Sequence, residues 1–184
     1  IQTSHSGVYT ATYTNDCGAQ STQDFTITVN GSTGVSYCNA GSNSSNECIS
    51  IGETSDFVVS HNYVHHGSSI RGEGIDAKDG SHDGEVFDNH VHDVMSVGIY
   101  VDAWDKHTYN IDVYNNLVHN VSGDGISIGS EQGGLLENIR VYNNILYKNK
   151  WLGINIHSCC TNSHPLDSIV VVNNTVYDNG WSQW

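Results

Sequence analysis

The 184-residue chain contains one proline, one methionine and only six lysines and arginines. It has no apolar run of the roughly eighteen residues that a membrane-spanning helix needs, so no membrane partner is expected. No charged segment followed by a short apolar one opens it either, and the expectation is a soluble mature fragment without a signal peptide. The shortage of positive charge excludes more. Six basic residues stand against 20 acidic ones, a net charge of −14, and the carboxylates are scattered rather than gathered in a tail. A field of that sign repels nucleic acid and other polyanions, so no nucleic-acid partner is expected. No CxxC spacing is present, which argues against a zinc site. No 3.6-residue apolar period runs through the chain, which argues against helices.

What is abundant is Gly, of which there are 19, with Asn, Val and Ile. That mixture favours short strands joined by tight turns. The five cysteines suggest an oxidising compartment, and hence a secreted, extracellular protein. Cys38 and Cys48 bracket the loop "CNAGSNSSNEC", which gains from being closed, so a disulfide is expected there. Cys159 and Cys160 are adjacent, and Cys17 is left without an assigned partner.

The chain repeats itself. "NIDVYNNLVHNVSGDGISI", residues 110–128, returns as "NIRVYNNILYKNKWLGINI", residues 138–156. An Asn followed two residues later by an apolar residue recurs at Asn62, Asn89, Asn116, Asn144 and Asn174, with spacings of 27, 27, 28 and 30. A small residue followed by Ile recurs at Cys48, Gly74, Gly98, Gly125 and Gly153. Two registers sharing one period mark a solenoid. Each period holds three strand-like pieces, such as "GISI", "IDVYN" and "NLVH". Alternation along a strand sends Ile75/Ala77, Ile99/Val101, Ile126/Ile128 and Ile154/Ile156 inward. It does the same for Ile111/Val113, Ile139/Val141 and Ile169/Val171, and for Val64, Val91, Val118, Leu146 and Val176.

The fold expected is therefore all-β: a parallel β-helix of about five coils over residues 36–184, three short strands per coil, stacked about 4.8 Å apart. A side-chain amide at the same turn of every coil can donate to one neighbour and accept from the other, which accounts for the Asn column. The same residue type tolerates unusual turn angles. Residues 1–35 alternate without the coil period. They resemble the closing strands of an immunoglobulin-like domain, or else form an irregular cap on the solenoid's open end; the cap is the favoured expectation.

The "NNxV" turn and "GIxI" strand, spanning residues 48–180, resemble the right-handed parallel β-helix superfamily of pectate lyases and related carbohydrate-active proteins. The resemblance implies right-handed coiling, in line with the general preference for right-handed crossovers. It covers polysaccharide lyases, hydrolases, epimerases, adhesins and carbohydrate-binding modules of plant-cell-wall enzymes.

The outward face narrows this range. Positions between the inward residues of the Ile-rich strands form the row Ser50, Asp76, Tyr100, Ser127, Asn155. Beside it runs Gly52, Lys78, Asp102, Gly129, His157, and beyond lie Asp79, Trp104, Asp105 and Glu131. Flat rings and acidic acceptors together are what a sugar site uses. The carbohydrate-binding residues expected are Asp76, Lys78, Tyr100, Asp102, Trp104, Asp105, Glu131 and His157, with Tyr100 and Trp104 as stacking surfaces. The plainer alternative is a cross-coil ion pair of Lys78 with Asp102 on a solvated face.

A lyase would need cations to neutralise a uronate carboxylate and a base to remove the neighbouring proton. Lys78 is the candidate base, and Asp76, Asp102, Asp105 and Glu131 are candidate oxygen ligands for calcium, as the resemblance implies. Besides Lys78, only Arg71 and Lys106 lie near this face. The Asn-Thr-Asp, Asp-Asp, Gly-His-Gly and Arg-Ile-Lys motifs of polygalacturonase-type hydrolases are absent, and Asp102 with Asp105 is a weak carboxylate pair. His65, His92 and His119 share one position in successive coils, continued by Tyr147 and Tyr177. They read as a stack of flat rings, with metal capture or a second sugar strip as the alternative.

The functional expectation is a non-catalytic, monomeric module binding a plant cell-wall polysaccharide and covalently linked to a catalytic domain. The xylan-like identity of the ligand follows from the resemblance alone. A calcium-dependent polysaccharide lyase is the alternative, and an adhesin or structural solenoid the third.

Overall fold

A computed structural model describes residues 47–67, 72–160 and 165–180 with their side chains, and residues 7–14, 20–29 and 35–37 as backbone strands. Cys17, Cys38 and Arg71 lie outside the described residues, and with them the expected Cys38–Cys48 disulfide.

All regular structure is β. The chain opens with β1 (Gly7–Thr14), β2 (Gln20–Val29) and β3 (Val35–Tyr37). Triplets follow: β4 (Ile49–Gly52), β5 (Ser55–Ser60), β6 (Tyr63–His65), then β7 (Ile75–Lys78), β8 (His82–Phe87), β9 (His90–His92). The third is β10 (Ile99–Ala103), β11 (Thr108–Tyr114), β12 (Leu117–His119), and the fourth β13 (Ile126–Ser130), β14 (Leu136–Tyr142), β15 (Ile145–Tyr147). The last is β16 (Ile154–Ser158), β17 (Leu166–Val172), β18 (Thr175–Tyr177). Five triplets make a solenoid of about four turns. Each strand of a triplet pairs in parallel with its counterpart in the next coil, giving three sheets. At the first coil the pairing changes sense. The β1–β2 hairpin lies antiparallel along β5, and β3 antiparallel along β4.

The inward alternation forms the core. Ile75, Ile99, Ile126, Ile128, Ile111, Ile139 and Leu146 are fully buried. A fully buried side chain of this kind stabilises by about 1.5–3 kcal/mol relative to exposure. One inward position breaks the aliphatic pattern. Gly84 lies opposite Phe57, whose ring would stand 2.1 Å from a Cβ added there, so the large ring of one coil fills the space left by the next. In the last coil the inward residues lose cover: Ile154 and Ile169 are half-buried, and Ile156 is 47% exposed against 0% for Ile128 one coil below. No described residue stacks over them.

The Asn column is a continuous ladder. Each Nδ2 donates to the next Oδ1, from Asn62 to Asn89 (2.8 Å), Asn116 (3.0 Å), Asn144 (3.0 Å) and Asn174 (2.9 Å). The same oxygens accept from the backbone N–H of the preceding rung. The unusual backbone angles belong to other residues. Asn115, Asn143 and Asn173 carry the positive φ, with Asn110 and Asn138 inside the long strands and Asn120 one turn on. In each "NN" pair the first Asn turns the corner and the second enters the ladder. Asn and Asp tolerate this conformation better than branched residues do, which explains their abundance. A shorter ladder at the following corner runs from Asn149 to Asn179.

Candidate functional site

The outward row of the Ile-rich sheet is present as expected. Ser50, Asp76, Tyr100, Ser127 and Asn155 are paired in register, with Gly52–Lys78 and Asp102–Gly129–His157 beside them. The expectation of an open surface is corrected by burial. Asp76 is 1% exposed, and Tyr100, Asp102 and Ser127 are buried as well. Coils about 4.8 Å apart let long side chains lie down over small neighbours. Tyr100 does this across Gly129, where an added Cβ would stand 2.6 Å from the phenolic oxygen and 2.8 Å from the His157 ring. The Tyr100 hydroxyl then donates to Glu131 Oε1 at 2.6 Å and lies 3.3 Å from His157 Nε2. Its ring packs on His157 at 5.7 Å, so Tyr100 is no free stacking surface.

Lys78 does not form the cross-coil pair with Asp102. Its ammonium donates to Glu47 Oε1 at 2.5 Å and lies 2.9 Å from Asp76 Oδ2, two residues back on the same face. Burial alone would lower its pKa, but the Asp76 and Glu47 carboxylates more than offset that, so Lys78 is held protonated above its ordinary value. This removes it as a ready base. Burial drives Asp76 upward against the pull of Lys78. Burial, then the charges of Asp76 and Glu131, pushes Asp102 up to about 9. Burial and the Glu131 bond push the Tyr100 phenol up as well.

Three buried carboxylate oxygens in this patch have no hydrogen-bond partner in the protein: Asp76 Oδ1, Asp79 Oδ1 and Asp102 Oδ1. Six buried side-chain nitrogens and oxygens lack a partner among the described residues, and half of them gather here. The nearby loop is well held. Trp104 accepts on its carbonyl from Gln132 (2.7 Å) and Gly134 (3.1 Å), and its N–H reaches Asp79. The Trp104 side chain is 44% exposed and Asp105 is exposed beside it. Lys106 runs past Gly80, close enough for its charge to act on Asp79, and is paired with Glu53. On the far side Cys159 and Cys160 are joined by a disulfide whose sulfurs lie within 4.8 Å of a Glu131 oxygen.

The four expected calcium ligands do not come together. Among the described residues, the acidic oxygens found within 4.8 Å of one another belong to Glu47, Glu73 and Asp76. There the Lys78 ammonium already stands at contact distance from two of the three, where a cation would sit. The donor set does not fit a calcium ion, and no chemical step is assigned to one.

The sequence reading missed Glu47, Glu73 and Asp124. Asp124 is buried, yet it accepts from Ser127 Oγ (2.8 Å), Asn155 Nδ2 (2.9 Å) and the Leu152 N–H (2.9 Å). Its place in "GDGISI", ahead of two small polar residues of the outward row, was the available signal.

The ring column lies on the third sheet. His65, His92, His119, Tyr147 and Tyr177 stack with centroids 5.3, 5.0, 4.7 and 5.2 Å apart. Tyr63 and His90 add a second column beside it. Burial, followed by neighbouring imidazoles, holds His65, His90 and His119 below the ordinary histidine value.

No family model matches the chain, nor does any curated protein or solved structure with which it was compared.

Proposed function

We propose that the outward face of the Ile-rich sheet binds an extracellular polysaccharide, neutral or weakly acidic and xylan-like, as a module of a larger secreted protein. One observation carries this reading: three buried carboxylate oxygens without donors gather on one face, and the loop that follows Asp102, its backbone hydrogen-bonded, carries the exposed Trp104. Sugar hydroxyls supply the donors such oxygens lack, and a sugar ring stacks its C–H face on an aromatic side chain. Trp104 is the stacking surface. Asp76, Asp79 and Asp102 order hydroxyls from below, and Glu131, His157 and Asp105 rim the patch. Tyr100 and Lys78 position these acids rather than touch the ligand. The strongly acidic chain disfavours a highly charged polyuronate.

A second reading, a polysaccharide lyase, draws support from the Asp102 carboxyl. Raised to about 9 by burial and neighbouring charge, it lies in the range useful for proton transfer near neutral pH. In that version Lys78 would neutralise the uronate carboxylate, and Asp102, protonated near neutral pH, would give its proton to the departing glycosidic oxygen while the proton beside the uronate carboxylate passes to solvent.

The test is a panel of insoluble polysaccharides, scored for protein retained and for unsaturated product absorbance, with and without EDTA. Retention without product, with affinity reduced roughly thirty-fold in Trp104→Ala, is the expected result. Product formation would turn the reading to the lyase, and its loss in EDTA would restore calcium to the account. Undiminished retention by Trp104→Ala would move the site off this face.

A further inference from the structure

We infer that His90 and His119 form a two-histidine chelate for a transition-metal ion of tetragonal preference, Cu²⁺ above all, on the third sheet. The pair belongs to adjacent coils but not to one ladder position, since His90 is registered with Leu117 and His119 with His92. The rings lean diagonally towards each other, and their Nε2 atoms end 2.8 Å apart. Metal–imidazole bonds of about 2.0–2.1 Å to two nitrogens at that separation subtend an angle of about 86° at the metal. A tetragonal ion asks for about 90° between neighbouring ligands, whereas tetrahedral zinc asks for about 109° and a wider pair. Imidazole suits copper, and copper stands highest in the divalent affinity order.

Both rings are already locked. His119 lies between His92, 5.0 Å away at 4°, and Tyr147, 4.7 Å away at 19°. His90 is wedged between Tyr63 and His92. Little rotamer freedom remains to be lost on binding, which favours a preorganised site. A single N–H···N hydrogen bond between the rings gives the same separation, and His119 Nδ1 is buried and unpartnered in either case. Beside the pair, Asp93 Oδ2 lies 2.7 Å from His92 Nδ1. That contact leaves His92 Nε2 as a further buried, unpartnered nitrogen. The Asp93 carboxylate and the net charge of −14 both draw cations to this side.

This inference does not depend on the polysaccharide reading. Tag-free protein is titrated with CuCl₂ by calorimetry, and the loaded sample is examined by electron paramagnetic resonance. One equivalent should bind, with superhyperfine structure from two imidazole nitrogens. His90→Phe and His119→Phe keep a flat ring in the stack, and each should weaken binding roughly tenfold or more. His65→Phe should bind as the parent does. Absence of binding in the parent would overturn the inference. So would unchanged binding in both substituted proteins, or a loss confined to His65→Phe, which would move the site to His65 and the next residue, His66, whose Nδ1 atoms lie 2.6 Å apart. If His119→Phe melts early, His90→Phe alone decides.

Discussion

Asp124 and Asp102 are both buried aspartates on the outward side of one sheet, on neighbouring coils, and they stand in opposite conditions. Asp124 receives three donors, two of them from small polar residues of the outward row. Asp102 keeps an oxygen with none, next to Asp76 in the same state. A buried carboxylate without donors costs free energy that a satisfied one does not. The repeat explains the first residue and fails to explain the second. Where the solenoid repeats, along the inner rungs of the Asn ladder, side-chain amides find partners one coil away. Where it stops repeating, at Asp76, Tyr100 and Asp102, partners run out, and that is where a ligand is best sought.

The contrast can be broken from its satisfied side first. Asp124→Ala would strand Ser127 Oγ, Asn155 Nδ2 and the Leu152 N–H together, and should cost about 3 kcal/mol in chemical denaturation. A loss below about 1 kcal/mol would show that Asp124 is no structural anchor. Next comes Asn116→Ala, in mid-ladder. It leaves the Asn89 side-chain amide and backbone N–H without their Asn116 acceptor, removes the side-chain donor to the Val86 carbonyl and leaves the Asn144 oxygen only the backbone N–H of residue 116, for about 2–3 kcal/mol. Thermal unfolding matching the parent would dismiss the ladder at that rung.

The smallest effect should have the opposite sign. The folded-state pKa of Asp102 is raised above its unfolded value, so the folded protein holds a proton that the unfolded chain releases. This term favours folding least at high pH: stability falls as pH rises from about 4 towards about 9. Asp102→Asn mimics the protonated acid and should flatten that slope. The gain over the parent should be nil near pH 4 and on the order of 1 kcal/mol at pH 8. Asp76 retains its own share of the slope. Equal melting at both pH values, or a loss at pH 8, would place Asp102 among the satisfied residues.

The coils were legible because their cause is periodic. Inward Ile and Val at a spacing of 27 or 28 can be buried only by stacking, and Asn116 finds its partners on the coils to either side. Even there the division of labour between Asn115 and Asn116 escaped, because one residue type serves both the left-handed corner and the ladder. The site was legible as a set of residues but not as an arrangement. Asp76, Tyr100 and Asp102 were placed on the right face and in the right register, yet their burial was missed. Glu47 was missed altogether, since its contact with Lys78 spans a coil boundary with no repeated counterpart.

The sequence by itself determined the coil, its inward face, the ladder and the stacked rings. Each follows from one residue's alternation or spacing, and in a solenoid a contact is a fixed sequence distance. Only the tertiary structure decided which cation meets which acid, which oxygens go unpaired and which rings turn towards each other. Those outcomes depend on side chains several atoms long choosing among partners on adjacent coils, all at nearly equal sequence distance. Sterics and burial make that choice: Gly129 makes room for Tyr100, and Asp76, not Asp102, holds Lys78.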